Sequence, residues 1–231
     1  MTSSQAAVSA HSHGPHCPDA YGPVPKVTWE RLFDRAPLAE NDRRRRVLDL
    51  GCGDGEFLVE SARARPDCDH LGIDLLAPVI DRARAKSEGL GNVAFVVGDA
   101  VEWIERLERL EEVHVYHPLP YFHPEIAQLG LLTPRFFQVV WDRMTEPGTL
   151  SMQTDHKAYG RYMILAAQRC FETTVVDTWP DLPFRRTRWE KISNRRKRTV
   201  LRIVGRRRSS VLEGDDPASY FEQQRKRVRG A

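Results

Sequence analysis

Leu48-Asp49-Leu50-Gly51-Cys52-Gly53-Asp54-Gly55 is the stretch on which the reading of this 231-residue chain turns. A short apolar strand over 47–50 enters a glycine-rich turn. The residues that follow, 55–64, carry Phe57, Leu58 and Ala62 along one side, as a helix lying on a sheet does. Glycines permit positive φ and let a ligand approach the backbone closely. A strand, glycine turn and helix in that order therefore build a ligand site beyond the carboxyl end of a parallel strand. The dinucleotide pattern G-x-G-x-x-G is not met: the third glycine comes one residue early, and position 56 is Glu. A pyrophosphate is accordingly not the expected ligand.

Outward from this unit the pattern keeps alternating. Strands are expected at 70–74, 93–97, 113–116 and 150–154, with strand-like stretches at 173–176 and 200–204. Helices are expected at 77–88, 100–109, 134–145 and 156–169, the third opened by Pro134 at a favourable first-turn position, and Glu146-Pro147-Gly148 reads as a turn. Strands alternating with helices imply one α/β domain, a doubly wound, mostly parallel seven-stranded sheet covered on both faces. The domain is expected to span 27–208. It is flanked by a Ser-, His-, Pro- and Gly-rich tail over 1–26, read as disordered, and a charged tail over 209–231. The Arg43 to Arg46 run reads as a solvated lead-in to a buried strand.

Hydrophobic residues make up 41% of the chain, enough to bury a core. Cys17, Cys52, Cys68 and Cys170 form no C-x-x-C pair, which argues against a zinc site or disulfide framework and for a reducing compartment, hence the cytoplasm. No apolar run approaches the roughly 18 residues of a membrane span, and the first residues lack the features of a secretory signal. His11, His13, His16 and Cys17 lie in the tail, and no metal site is expected there. The net charge of +3 hides an asymmetry. Residues 185–208 hold twelve Lys or Arg against Glu190 alone, leaving 23 of the 35 basic but 31 of the 32 acidic residues elsewhere. A concentrated basic segment on an acidic body suits a polyanion, or else a solvated cationic face.

The glycine spacing resembles the first motif of class I methyltransferases, whose ligand carries a sulfonium and an amino acid. Asp49 suits the cationic amino end of such a ligand. Asp74 closes the second strand about twenty residues on, where an acid accepts from ribose hydroxyls, and Asp99, in Gly98-Asp99-Ala100, can accept from an adenine amine. Each acid alone reads equally well as a strand-end or helix-capping carboxylate. Three at successive strand ends point to a single adenosyl ligand. Asp49, Gly51, Gly53, Gly55, Asp74 and Asp99 are the cofactor-site candidates, with S-adenosyl-L-methionine as the cofactor.

The second half narrows the reading. Thr154-Asp155 ends the fifth strand and is followed by Tyr159 and Met163, and Thr187-Arg188-Trp189-Glu190 comes further on. Trp29, Leu32-Phe33 and Pro37-Leu38 precede the first strand, and Pro118-x-Pro120 and Pro134-x-Phe136 lie between. Together these resemble the bacterial tRNA (guanine-N7)-methyltransferase family over about residues 27–205. The resemblance implies transfer of a methyl group to N7 of a guanine in tRNA, with Asp155, Thr187 and Glu190 contacting the target nucleotide. It also exposes a departure. The family carries P-D-P-W after the fourth strand, its aspartate regarded as catalytic. This chain reads Pro118-Leu119-Pro120-Tyr121-Phe122-His123, with Leu119 at the aspartate and His123 at a substrate-binding lysine. No catalytic residue is assigned. Arg185, Arg186, Arg188 and the run Arg195-Arg196-Lys197-Arg198 can follow a phosphate backbone, and Trp189 either stacks on a base or packs in the core. Two other readings stay open: a methyltransferase with a changed RNA or small-molecule acceptor, and a non-catalytic RNA-binding module. No membrane partner is expected, and the oligomeric state is open, with a monomer favoured.

Overall fold

The first strand, β1 (Arg45–Leu50), lies at the centre of the sheet because both its faces are apolar: Val47 points to one side, Leu48 and Leu50 to the other, all fully buried. The structure, a computed structural model, describes residues 26–33, 44–120, 130–179 and 187–213. Around β1 are β2 (Cys68–Asp74), β3 (Val93–Val97), β4 (Leu110–Tyr116), β5 (Met144–Thr154), β6 (Phe171–Val176) and β7 (Leu201–Arg207). They form one seven-stranded sheet of order β3-β2-β1-β4-β5-β7-β6. The first five strands are parallel; β7 runs antiparallel between β5 and β6. The expected sheet, mostly parallel with seven strands in one domain, is what forms.

Helices α1 (Trp29–Leu32), α4 (Ala100–Arg106), α5 (Pro134–Arg143) and α6 (Lys157–Ala167) share one apolar core with Leu48, Leu50, Val113, Val115, Leu150 and Met152. Helices α2 (Glu56–Ala64) and α3 (Ala77–Lys86) cover the other face through Phe57, Leu58, Ile80 and Ala83. On that second face the carboxyl halves of the central strands turn polar. Asp49, His114, Ser151 and Gln153 are buried there, where alternation along a strand covered by helices would otherwise place aliphatic side chains.

Several sequence expectations are corrected. Glu146-Pro147-Gly148 is not a turn between elements but lies inside β5, at a register shift where pairing jumps from Leu110↔Met144 to Glu112↔Thr149. The bulge absorbs the proline, which has no N–H to give a ladder. The helix expected over 100–109 stops at Arg106, because buried Leu107 and Leu110 turn the chain into β4. An eight-residue helix, α7 (Arg188–Arg195), occupies the basic segment, where none was expected. The arginine run before β1 is not merely solvated. Arg44 Nε lies 2.7 Å from the buried Asp69 carboxylate, and Arg45 lies 2.9 Å from Glu112. The tail over 1–25, with its histidines and Cys17, lies outside the described residues, as do Pro37-Leu38, Tyr121 to His123, Arg185 and Arg186.

Candidate active site

The carboxyl ends of β3, β2, β1, β4 and β5 form one rim, and Asp49, Asp74, Asp99 and Asp155 lie along it. There β1 ends in the glycine turn. Gly51 and Gly53 hold φ of 70° and 57°, and a Cβ on either would meet nothing within 4 Å, so their backbone faces open space. Gly55 is different: its φ is 71°, and a Cβ there would sit 2.7 Å from Phe95 and 2.8 Å from Ala83. It is the residue that lets α2 begin hard against β3.

The three acids stand at the ends of three adjacent strands, and Asp49 and Asp74 adjoin this turn. Asp49 pairs across the sheet with Gly72, and Asp74 with Val97, so the three strand ends stand side by side, ~5 Å apart per step. Asp74 ties the turn together: its Oδ2 accepts from Gly53 N–H at 2.9 Å, and its Oδ1 accepts from Leu76 N–H at 3.0 Å. Asp99 caps α4, its Oδ1 accepting from Val101 and Glu102 N–H, while its Oδ2 has no donor among the described residues. The capping reading of Asp99 is thus real, and it leaves one oxygen for a ligand. Asp49 is only 3% exposed and accepts no hydrogen bond among the described residues. Burial, and then the charge of Asp74, push its carboxyl up to about 8. A buried carboxyl without a counter-charge, next to an open glycine backbone, fits a ligand that brings a cation. Leu75 and Leu76, largely exposed beside Asp74, add an apolar lip that the sequence reading did not single out.

A second group surrounds Asp155, just past β5. Its Oδ2 accepts from Ser193 Oγ and from Arg198 at 2.8 Å each. Burial raises the Asp155 carboxyl, but these two donors outweigh it and hold it below its usual value. Thr187 is the N-cap of α7, its Oγ1 accepting from Glu190 N–H at 3.1 Å. Thr187-Arg188-Trp189-Glu190 is thus also a helix-start signature, S/T-x-x-E, which explains the helix the sequence reading missed. Glu190 is 3% exposed. Its Oε1 accepts from Arg202 at 2.5 Å, and its Oε2 is buried without a hydrogen-bond partner among the described residues. Trp189 is not a core residue but 59% exposed. Arg63, Lys86, Arg188, Lys191 and Arg195 line a cavity of about 850 Å³ between α2 and α7 together with Asp54, Glu56 and Glu60, Lys86 being ion-paired with Asp54 and Lys191 with Glu56. Leu119 is 67% exposed on the rim and offers no carboxylate. His123 lies outside the described residues.

Sheet order, an antiparallel strand inserted before the edge, and acids at successive strand ends around a glycine turn define a class I methyltransferase. A family model described as "Putative methyltransferase" matches residues 43–202, and the chain belongs to that family. The resemblance drawn from its motifs is borne out by relatives. The tRNA (guanine-N(7)-)-methyltransferase of Halorhodospira halophila is 32% identical over 155 residues, 64% of each chain. That of Rubrobacter xylanophilus is 29% identical over 176 residues, 73% of this chain and 79% of its own. The match thus spans less than two thirds of the Halorhodospira protein's length. The structure of the 16S rRNA methyltransferase KamB shares the fold, with a TM-score of 0.55 at 17% identity, covering 78% of this chain and 92% of that one. Among the described residues no helix is long and apolar enough to cross a membrane.

Proposed function

We propose that this protein transfers a methyl group from S-adenosyl-L-methionine to N7 of a guanine in tRNA. The observation that carries this reading is the buried, unpartnered Asp49 carboxyl beside an open glycine turn, in a chain whose family is one of methyltransferases. The bound cofactor supplies an electrophilic methyl group on a sulfonium. Asp49 holds the amino end, Asp74 accepts from the ribose hydroxyls while its backbone bonds keep the turn in shape, and the free Oδ2 of Asp99 accepts from the adenine amine.

Guanine N7 has an exposed lone pair and no proton, so no general base is needed. The chain's task is alignment, which can supply about 7–11 kcal/mol of a barrier. A guanine edge donates from its imino and amino groups, and carboxylates are the matching acceptors. Asp155 and Glu190 are the acceptors in this reading, with Thr187 holding the start of α7 beside them. Arg63, Arg188 and Arg195, the cavity's basic residues not ion-paired with its carboxylates, suit a phosphate backbone, and the exposed Trp189 suits a stacked base. His123 belongs to the same reading as a phosphate contact. The same reading places the protein in the cytoplasm and favours a monomer, with the oligomeric state open.

Purified protein incubated with labelled S-adenosylmethionine and bulk tRNA should yield 7-methylguanosine on nucleoside analysis. Tight cofactor binding with no label in tRNA would count decisively against the proposal. Leu119 favours a second reading, a changed acceptor, because an exposed leucine stands where an orienting carboxylate would help. Label appearing in a metabolite extract or in another RNA, and not in tRNA, would select it.

A further inference from the structure

His117, which immediately follows β4, was not singled out from sequence and belongs to neither the cofactor nor the acceptor residues above. Its φ is 51°, in the left-handed region that few residues but glycine adopt, His being among the side chains, with Asn and Asp, that enter it most often. The backbone is held there by a bond from His117 N–H to Gln153 O at 2.7 Å. A residue kept in this conformation is a candidate for a functional constraint.

The side chain sits in a chain of hydrogen bonds whose direction can be read from one end. The Trp179 indole N–H is a donor only, and it gives to Gln153 Oε1 at 3.0 Å. The Gln153 amide therefore presents its NH₂ to His117, and His117 Nε2, at 2.8 Å, must accept. A neutral imidazole that accepts at Nε2 carries its proton on Nδ1. Nδ1 faces Asp155 Oδ1 at 3.8 Å, on the opposite oxygen from Ser193 and Arg198. Contacts of this kind are often long without substrate and tighten in the complex. Burial lowers the His117 pKa, against the pull of Asp155, and so favours the neutral imidazole.

We propose that His117 is a positioning residue for Asp155: its imidazole, fixed as the Nδ1–H tautomer by Gln153 and Trp179, sets the orientation of the carboxylate that receives the acceptor base. This rests on the reading of Asp155 as an acceptor contact. With Leu119 contributing no carboxylate on the neighbouring loop, the orientation of Asp155 carries more of the acceptor's alignment in this chain.

Two substitutions that both tolerate positive φ separate donor from backbone. His117→Gly removes the Nδ1 donor, and His117→Asn places an amide N–H near the Nδ1 position. His117→Gly is expected to raise the KM for tRNA by roughly tenfold or more, the worth of a hydrogen bond to a charged group. Cofactor affinity, measured calorimetrically, should stay within about twofold, the span between uncoupled sites. His117→Asn should recover most of the loss. Independently of activity, long-range ¹H–¹⁵N spectra of histidine-labelled protein at neutral pH should give a single Nδ1–H tautomer, lost in Gln153→Ala. An unchanged KM in His117→Gly, no recovery in His117→Asn, or an Nε2–H tautomer overturns the proposal. If the native protein methylates no tRNA, the proposed function fails, and the tautomer with its response to Gln153→Ala decides the relay alone.

Discussion

Asp49 has a carboxyl pushed up to about 8, so at neutral pH most of the ligand-free protein carries it protonated. A cationic amino group favours the ionised form, so cofactor binding should release a proton. Affinity should therefore climb as pH rises towards 8 and fall again as the ligand's amino group, with an ordinary pKa of about 8, loses its charge. Calorimetry in two buffers of different ionisation enthalpy measures the proton directly. Asp49→Asn should abolish the buffer dependence and weaken binding about tenfold or more. Leu119 invites the opposite experiment. Because it is 67% exposed, Leu119→Asp should leave the fold intact, and on a guanine acceptor it should raise kcat about ten- to hundredfold by supplying an orienting carboxylate. A flat response in single-turnover kinetics would mean that the acceptor edge lies elsewhere. At this scale the sequence was legible where a residue's position follows from strand order. Once the first three strands were adjacent and parallel, Asp49, Asp74 and Asp99 had to lie along one edge of the sheet. His117 was not legible, since neither its left-handed backbone nor its link through Gln153 to Trp179 leaves a mark in composition or spacing.

Helix α7 shows why one element escaped. Its eight residues lie in a segment so rich in arginine that charge hides the period, yet Glu190 and Ser193 turn inward while Arg188, Lys191 and Arg195 line the cavity. The capping pair Thr187 and Glu190 was read only as a substrate contact, although the same spacing starts a helix. The two roles can be separated. Thr187→Ala should destabilise α7 by about 1 kcal/mol, whereas Thr187→Asp, an equally good cap, should restore it. Amide exchange of α7 reports the first effect and filter binding of tRNA the second. If Thr187 also touches the nucleotide, Thr187→Asp will restore protection but not affinity. A full return of both would reduce Thr187 to a cap. The bulge in β5 was misread for a related reason: Pro and Gly signal a break, and local sequence does not say whether the strand resumes its ladder on the other side.

Across the whole molecule, stability should depend on pH through a histidine remote from the site. His70 is fully buried under α2, where its Nδ1–H donates to Asn92 O at 3.2 Å and its Nε2 accepts from Ser61. Burial, then the charge of Arg65, hold its pKa down to about 4. In the unfolded chain it would titrate near 6.5, so between these values the unfolded state binds the extra proton. Stability is therefore complete above about pH 6.5 and falls by about 3 kcal/mol as pH drops to 4. His70→Asn, which keeps a donor towards Asn92, should flatten that part of a melting-temperature profile. A further decline at lower pH should survive, because Glu112 is held below its usual value: burial opposes this, but the bonds to His114 and Arg65 prevail. The sheet order has a last consequence. Its sixth position is filled by β7, the last strand among the described residues, so during synthesis on the ribosome β5 and β6 must wait, edges bare, until residues 201–207 emerge between them. A nascent chain halted after β6 and before β7 holds the entire cofactor rim and yet leaves β6 with no strand to pair with.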